Sequence, residues 1–361
     1  MVFVFSGGAR QLYQASQWLA ALSTVQGQLG VPVDAIARDA RSAVLLRELT
    51  SLRVRWVSST AQLLTHLRQA RVALYPNQAT LNFQALAAAE PAHVHLSHGE
   101  SEKISMVSNQ LKAYDFVFTA GPAARERIAS HLIGFDVSRC IDVGRPQLDD
   151  PRVAPDGIPV TRKPTLLYAP TWEGDSAQMS YSSLAGSGSS IARQAVTAGY
   201  RVLYRPHPQT GSRSRSALRA HREVRDLLKA AGPEHVVDES SALGWQWDVA
   251  DVMVLDPSAM ALDASALGKP FIVVRPAAAE AAHRKGGLLD RAVTLDPNSL
   301  RLEEALELAR SSEAHLSNRE LATYHFGSDE PGSHIKRFVE AVQRVLETRT
   351  EELALRSSAY E

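Results

Sequence analysis

The feature that most restricts this chain is a rhythm: short apolar runs closed by Gly, Pro or polar residues alternate with longer Ala- and Leu-rich stretches of helical period. Runs of four to eight apolar residues, rich in β-branched and aromatic types, read as buried strands, and the stretches between them as amphipathic helices. Strands are expected at 2–5, 31–37, 54–57, 72–75, 94–97, 116–119 and 141–143, with helices notably at 11–22, 40–50 and 59–70. The rhythm then breaks in "DDPRVAPDGIPVTRKP", residues 149–164, too rich in proline and turn residues for a regular element. It resumes with strands at 165–169, 200–204, 235–237, 252–255, 271–274 and 292–295. Strand and helix in strict alternation make an α/β protein with parallel sheets, here two domains in tandem joined by a linker.

Length agrees, because 361 residues exceed what one core usually organises. The bounds expected are a first domain at 1–150, a linker at 151–164, a second domain at 165–330, and a C-terminal helix and tail at 331–361. Lys+Arg and Asp+Glu balance at 39 each, so the electrostatic footprint of a nucleic-acid binder is missing and no such partner is expected. The single cysteine, Cys140, excludes an internal disulfide, fits a reducing compartment and reads as a packed thiol. "MVFVFSGG" is too short and too quickly interrupted for a signal peptide or spanning helix, so a cytoplasmic protein with at most peripheral membrane contact is expected. The Ser/Gly run "SSLAGSGSS" (182–190) and the Ala-rich "PAAAEAAH" (276–283) read as loops.

Polar residues cluster directly after the strands, where parallel sheets bind ligands. "SHGE" puts His98, Gly99 and Glu100 after one strand, with Lys103 close behind; "YAPTWEG" supplies Thr171, Trp172 and Glu173; "RPHP" supplies Arg205 and His207. "LDPSAMALDASALGKP" ends a strand at Asp256, starts a helix near Ser258 and stops it at Gly268. Each of these has a plain structural reading beside the chemical one. Arg205 and His207 are either solvated residues of a proline-fixed turn or rigidly held cationic and hydrogen-bonding groups. Ser258 either caps its helix or holds a phosphate, and Asp263 in the same helix equally suits the surface. His98 is either a general base or a strand-end histidine bonded to backbone, since His93 and His95 show that the segment takes histidine in any case. Glu100 either orients that imidazole or caps a helix. The basic stretch 213–230 turns Leu218, Val224, Leu227 and Leu228 toward a core or an anionic leaflet, and Trp245 and Trp247 sit near a nucleotide base or pack inside. The histidines lack zinc spacing, and Asp256 with Asp263 is too little for Mg²⁺, so no metal site is assigned and divalent-metal dependence stays open.

Taken in order, "SHGE", "YAPTW", "RPHP" and "ADVMVLDPSAMALDASALGKPFIVV" resemble the CDP-glycerol glycerophosphotransferase family, the teichoic-acid primases and polymerases. "FGSDEPGSHIKRF", with Asp329, Gly332, Ser333 and Phe338, is similar to the family's closing segment. The chain departs from the family pattern at Glu100-Ser101, where many members have Thr-Pro, and at Asp256-Pro257-Ser258-Ala259, where they have Asp-Tyr-Ser-Ser. The resemblance implies a GT-B fold: two Rossmann-like domains facing a cleft, acceptor side first and nucleotide-donor side second, with residues 334–350 as a helix returning to the first. It implies transfer of a glycerol-phosphate, or related polyol- or sugar-phosphate, unit from a CDP-activated donor to a hydroxyl acceptor, lipid-linked or glycan, with release of CMP and no obligatory cofactor. His98 would be the base, supported by Gly99 and Glu100. Arg205, His207, Ser258, Asp256, Thr171 and Ser333 would bind donor phosphate, and His207 would also stabilise the leaving group. The same architecture also suits a nucleotide-sugar glycosyltransferase, or a non-catalytic glycan- or nucleotide-binding subunit.

Overall fold

Every residue of strands Val2–Phe5, Val72–Tyr75, Thr165–Ala169, Val252–Leu255 and Phe271–Val274 is buried, as strands covered by helices on both faces require. The computed structural model describes residues 1–358 except 104–105, 151, 241–242, 279–280, 282–283 and 329. Asp329, and part of the Ala-rich run at 276–283, lie outside the described residues. Two compact units are present. The first comprises Met1–Gly99, Val107–Asp150 and Tyr324–Glu361, the second Glu100–Met106 and Pro151–Thr323.

The first unit holds β1 (Val2–Phe5), β2 (Asp34–Ala37), β3 (Arg53–Trp56), β4 (Val72–Tyr75), β5 (Ala92–His95), β6 (Phe116–Thr119) and β7 (Cys140–Asp142), in the order β3-β2-β1-β4-β5-β6-β7. All neighbours are parallel. The order reverses between β1 and β4, the doubly wound pattern. One face packs Phe3, Phe5, Trp18 and Leu22 against Phe338, Val342 and Val345 of the C-terminal helix Ser333–Ser358. Phe338 packs tilted on Trp18, 5.3 Å between ring centroids, and meets Phe118 edge-on at 6.1 Å. Asp149 fixes the start of that helix, its carboxylate accepting from the backbone N–H groups of Gly332 (2.7 Å), His334 (2.9 Å) and Ile335 (2.9 Å).

The second unit holds β8 (Thr165–Ala169), β9 (Arg201–Tyr204), β10 (Val236–Val237), β11 (Val252–Leu255), β12 (Phe271–Val274) and β13 (Val293–Leu295), in the order β10-β9-β8-β11-β12-β13, again all parallel. The reversal falls between β8 and β11. The expected α/β class and strand positions are thus present, six strands keeping their bounds and seven moving by one to three residues.

Two expectations change. The Ser/Gly run is not a loop but the start of helix Leu184–Thr197. Ser187 and Gly188 face inward: a Cβ at Gly188 would lie 2.9 Å from Leu184 Cδ1 and 3.2 Å from the Tyr168 hydroxyl, so close packing offsets the usual penalty for glycine in a helix. The helix expected at 11–22 is broken at Gln17-Trp18, and the long element is Leu19–Leu29, closed by Gly30 in the left-handed region (φ 64°). The open alternatives also resolve. Helix Arg215–Ala231 buries Ala217, Ala220, His221, Val224 and Leu228 against its own unit, with Leu227 packed on the same core, so its apolar stripe serves the core. Trp245 and Trp247 are buried, as is Cys140, whose thiol is pushed up to about 11 by burial.

Candidate active site

In a doubly wound sheet the loops following the two strands at the reversal diverge and leave room for a ligand. In the second unit these are the loop after β8, carrying Thr171, Trp172 and Glu173, and the loop after β11, carrying Asp256, Pro257 and Ser258; His207 lies after the adjacent β9. Asp256 is fully buried and ties the region together, its Oδ2 accepting from Thr171 N (2.9 Å) and Ser183 N (3.0 Å). Burial raises its carboxyl to about 6, against the pull of those hydrogen bonds and of Lys103. Its position makes it a brace of the floor. Ser258 precedes helix Ala259–Ser265 and is half-buried, and its side chain makes no capping hydrogen bond. Asp263, in that helix, is fully buried rather than a surface residue.

The "RPHP" loop is held from three sides. Arg205 is ion-paired through Nη1 with the buried Asp238, and its Nη2 donates to the Ser240 carbonyl (3.3 Å). Asp238 also accepts from Gln246 Nε2 (2.6 Å) and Ser240 N (3.0 Å). The arginine that could have offered an open fork of donors is therefore committed within its own unit. His207 Nδ1 accepts from Gln209 N (3.1 Å), which places the proton of the neutral ring on Nε2, and Trp172 stacks on the ring at 6.3 Å between centroids. Glu173 supplies the third hold: its carboxylate accepts from the backbone of Gly211 (3.1 Å), Arg213 (2.8 Å) and Ser214 (3.0 Å). We expect Glu173→Ala to lower turnover by about 10- to 100-fold through misplacement of His207. Glu173→Gln, which keeps an acceptor, should restore most of it, and equal rates in all three proteins would show that the carboxylate serves only the helix start.

In the first unit, His98 follows β5 through a strained turn. Ser97 is the only non-glycine residue with positive φ (67°) among the described residues, a conformation costing about 1–2 kcal/mol. It is pinned by its carbonyl, which accepts from Trp18 Nε1 (2.8 Å), and by its hydroxyl, which donates to the Gly99 carbonyl (3.2 Å). The half-buried His98 ring meets Tyr13 edge-on at 6.1 Å and bonds the Pro76 carbonyl, so one nitrogen donates and the other keeps its lone pair. Burial and the nearby Arg145 push His98 down to about 4, which keeps it neutral at pH 7. Glu100 is buried, 3% exposed. Ser333 belongs to this first unit, apart from the other expected phosphate ligands, and the N–H groups beside it are occupied by Asp149. Among the described residues no group of three or more His, Cys, Asp or Glu is placed to hold a metal ion, and no helix is long and apolar enough to cross a membrane.

Residues 40–315 match the family described as CDP-Glycerol:Poly(glycerophosphate) glycerophosphotransferase. The chain belongs to that family. No curated protein matches it. Solved structures share its fold at low identity. The wall teichoic acid polymerase TagF superposes with a TM-score of 0.63 at 10% identity, over 97% of this chain and 89% of that one. A putative UDP-N-acetylglucosamine 2-epimerase from Listeria monocytogenes gives 0.60 at 14% identity, over 96% of each chain. A glycosyltransferase from Rickettsia africae ESF-5 gives 0.57 at 10% identity, over 96% of this chain and 98% of that one. The fold is thus GT-B-like, and the protein is an enzyme of a glycerophosphotransferase family.

Within the family segment, the structure separates residues that hold the fold from those open to a ligand. Lys269, in the run that ends in Lys-Pro, donates to the carbonyls of Trp247 (2.6 Å), Asp248 (2.8 Å) and Ala250 (2.8 Å), closing the end of helix Trp245–Val249. Asp238 and Ser97 escaped the sequence reading, and Glu173 was placed after its strand without a partner or a role. Only their partners, 33 to 79 positions away, reveal them; the only advance signal was that Glu173 and Ser97 adjoin the family's Trp and His.

Proposed function

We propose that this protein moves a glycerol-phosphate, or related polyol- or sugar-phosphate, unit from a CDP-activated donor to a hydroxyl of a wall or capsular polymer, releasing CMP. Family membership supports the reaction class. The observation that carries the site is the gathering of Thr171, Ser258 and His207 at the carboxyl ends of adjacent strands around the reversal of the second sheet. The acceptor oxygen forms a bond to the phosphorus that carries the polyol, the bond from that phosphorus to the bridging oxygen breaks, and CMP departs with the bridging oxygen. His98, neutral and with one nitrogen lone pair available, takes the hydroxyl proton. His207 presents Nε2–H to a phosphoryl oxygen and stabilises charge on the leaving phosphate. Ser258 and Thr171 supply further hydrogen bonds. Arg205 supports the loop from beneath, Asp256 the floor, and Gly99 and Glu100 the turn that carries His98.

We place the enzyme in the cytoplasm, in peripheral contact with the membrane when its acceptor is lipid-linked. CDP-glycerol and related CDP-linked donors, supplied with candidate acceptors and with or without Mg²⁺, should give CMP. A nucleoside diphosphate product would instead mark a glycosyltransferase, and tight donor binding without turnover a binding subunit.

A further inference from the structure

Lys103 stands out in the second unit because a half-buried lysine turns its ammonium to a hydroxyl and an aromatic ring. The stretch Glu100–Met106 is part of that unit, held by Glu102, whose Oε2 accepts from Leu288 N (3.0 Å). Lys103 donates from Nζ to Thr171 Oγ1 (3.2 Å) and lies 5.1 Å over the Tyr181 ring. It lines an open hollow together with Ser101, Tyr181, Pro257, Ser258 and Arg284. Its position beside Thr171 and across from Ser258 puts an ammonium at the reversal of the sheet. The other titratable and charged groups facing it are Asp256 after β11, Glu102 on its own segment, Tyr181 from the segment before helix Leu184–Thr197, and Arg284 from the segment before helix Leu288–Arg291.

A neutral hydroxyl and an aromatic face do not repay the partial burial of an ammonium, and Asp256, whose Oδ2 accepts two backbone N–H groups and whose Oδ1 has no hydrogen-bond partner, acts on it only through space. An incoming anion would repay it. We propose that Lys103 is a substrate-contacting residue, its ammonium receiving phosphoryl oxygens of a diphosphate in the hollow it shares with Ser258. This rests on the reading of the second unit as the donor side. Burial has pushed this lysine down to about 8. Lys103 is thus only partly charged in slightly alkaline solution until an anion arrives.

The test is calorimetric titration of the full chain with inorganic pyrophosphate, with CDP and with cytidine, from pH 7 to 9.5. Wild type should bind both diphosphates and lose affinity as pH rises past about 8, the lysine shedding its proton. Lys103→Met should bind them about 10- to 100-fold more weakly, as loss of a charge-assisted hydrogen bond demands, with cytidine affinity unchanged. Lys103→Arg keeps its charge at high pH and should lose the alkaline decline. Comparison between variants cancels the ligands' own titration, and the Arg variant carries the test if the Met variant does not fold. Wild-type protein that binds neither diphosphate, or Met and Arg variants that keep the wild-type affinity and alkaline decline, would overturn the inference. Lysine-dependent diphosphate binding with no CMP formed from any CDP-linked donor would sustain it while sinking the proposed activity.

Discussion

Replacing His98 with alanine is expected to cut kcat by about 10²-fold or more while leaving the affinity for CDP unchanged, because a general base acts on the acceptor hydroxyl and not on the donor. The geometry gives this substitution its force. The turn at Ser97 is held in an unfavourable conformation by two hydrogen bonds, one ring nitrogen is spent on the Pro76 carbonyl, and the other keeps its lone pair. Because the ring is pushed down to about 4, it stays a proton acceptor well below the pH at which an ordinary histidine is lost, so the acid limb of kcat/KM should fall below pH 6. Donor titration and turnover on one preparation decide the matter. Turnover within threefold of wild type would reduce His98 to a strand-end residue.

The second large effect is on stability in acid. His95 and His334 are buried, 2% and 3% exposed, and both are held neutral by desolvation, His95 pushed down to about 3. A histidine whose folded value lies below its unfolded value binds fewer protons when folded, so its contribution is full above about 6.5 and is lost as pH falls. Each can cost up to about 1.4 kcal/mol per pH unit below 6.5, and the half-buried His98 adds less. Asp256 acts in the opposite sense: its carboxyl is raised to about 6, so it gives back some stability between pH 6 and 4. Urea denaturation at pH 7, 6, 5 and 4 should show a net decline approaching about 2 kcal/mol per unit, and His95→Asn should flatten it. A constant midpoint from pH 7 to pH 5 would contradict this account.

The fold was legible because buried parallel strands leave a strong local trace: β1, β4, β6, β8, β11 and β12 were found with their bounds as apolar runs between turn residues. What local pattern could not carry was packing between distant segments. "AGSGSS" looks like a loop until Tyr168 and Val224 stand against Gly188. The proposed site divides in the same way. His98, His207 and Ser258 announced themselves as polar residues at strand ends, but Arg205 looked available for phosphate because Asp238 lies 33 residues further on. Ser333 looked like an anion site because Asp149, nearly two hundred positions earlier, is invisible as its cap.

That cap closes a unit whose parts leave the ribosome far apart in time. The first sheet is complete by Asp142, yet the face bearing Trp18 and Phe118 is covered only by Phe338 and its neighbours. Some 190 residues separate the two, about 10–40 s of synthesis. During that interval a large aromatic surface waits for its lid, so the sheet made first is the last to be finished. The nascent chain is most exposed to aggregation there, and a fragment ending at the linker would keep that exposure for good.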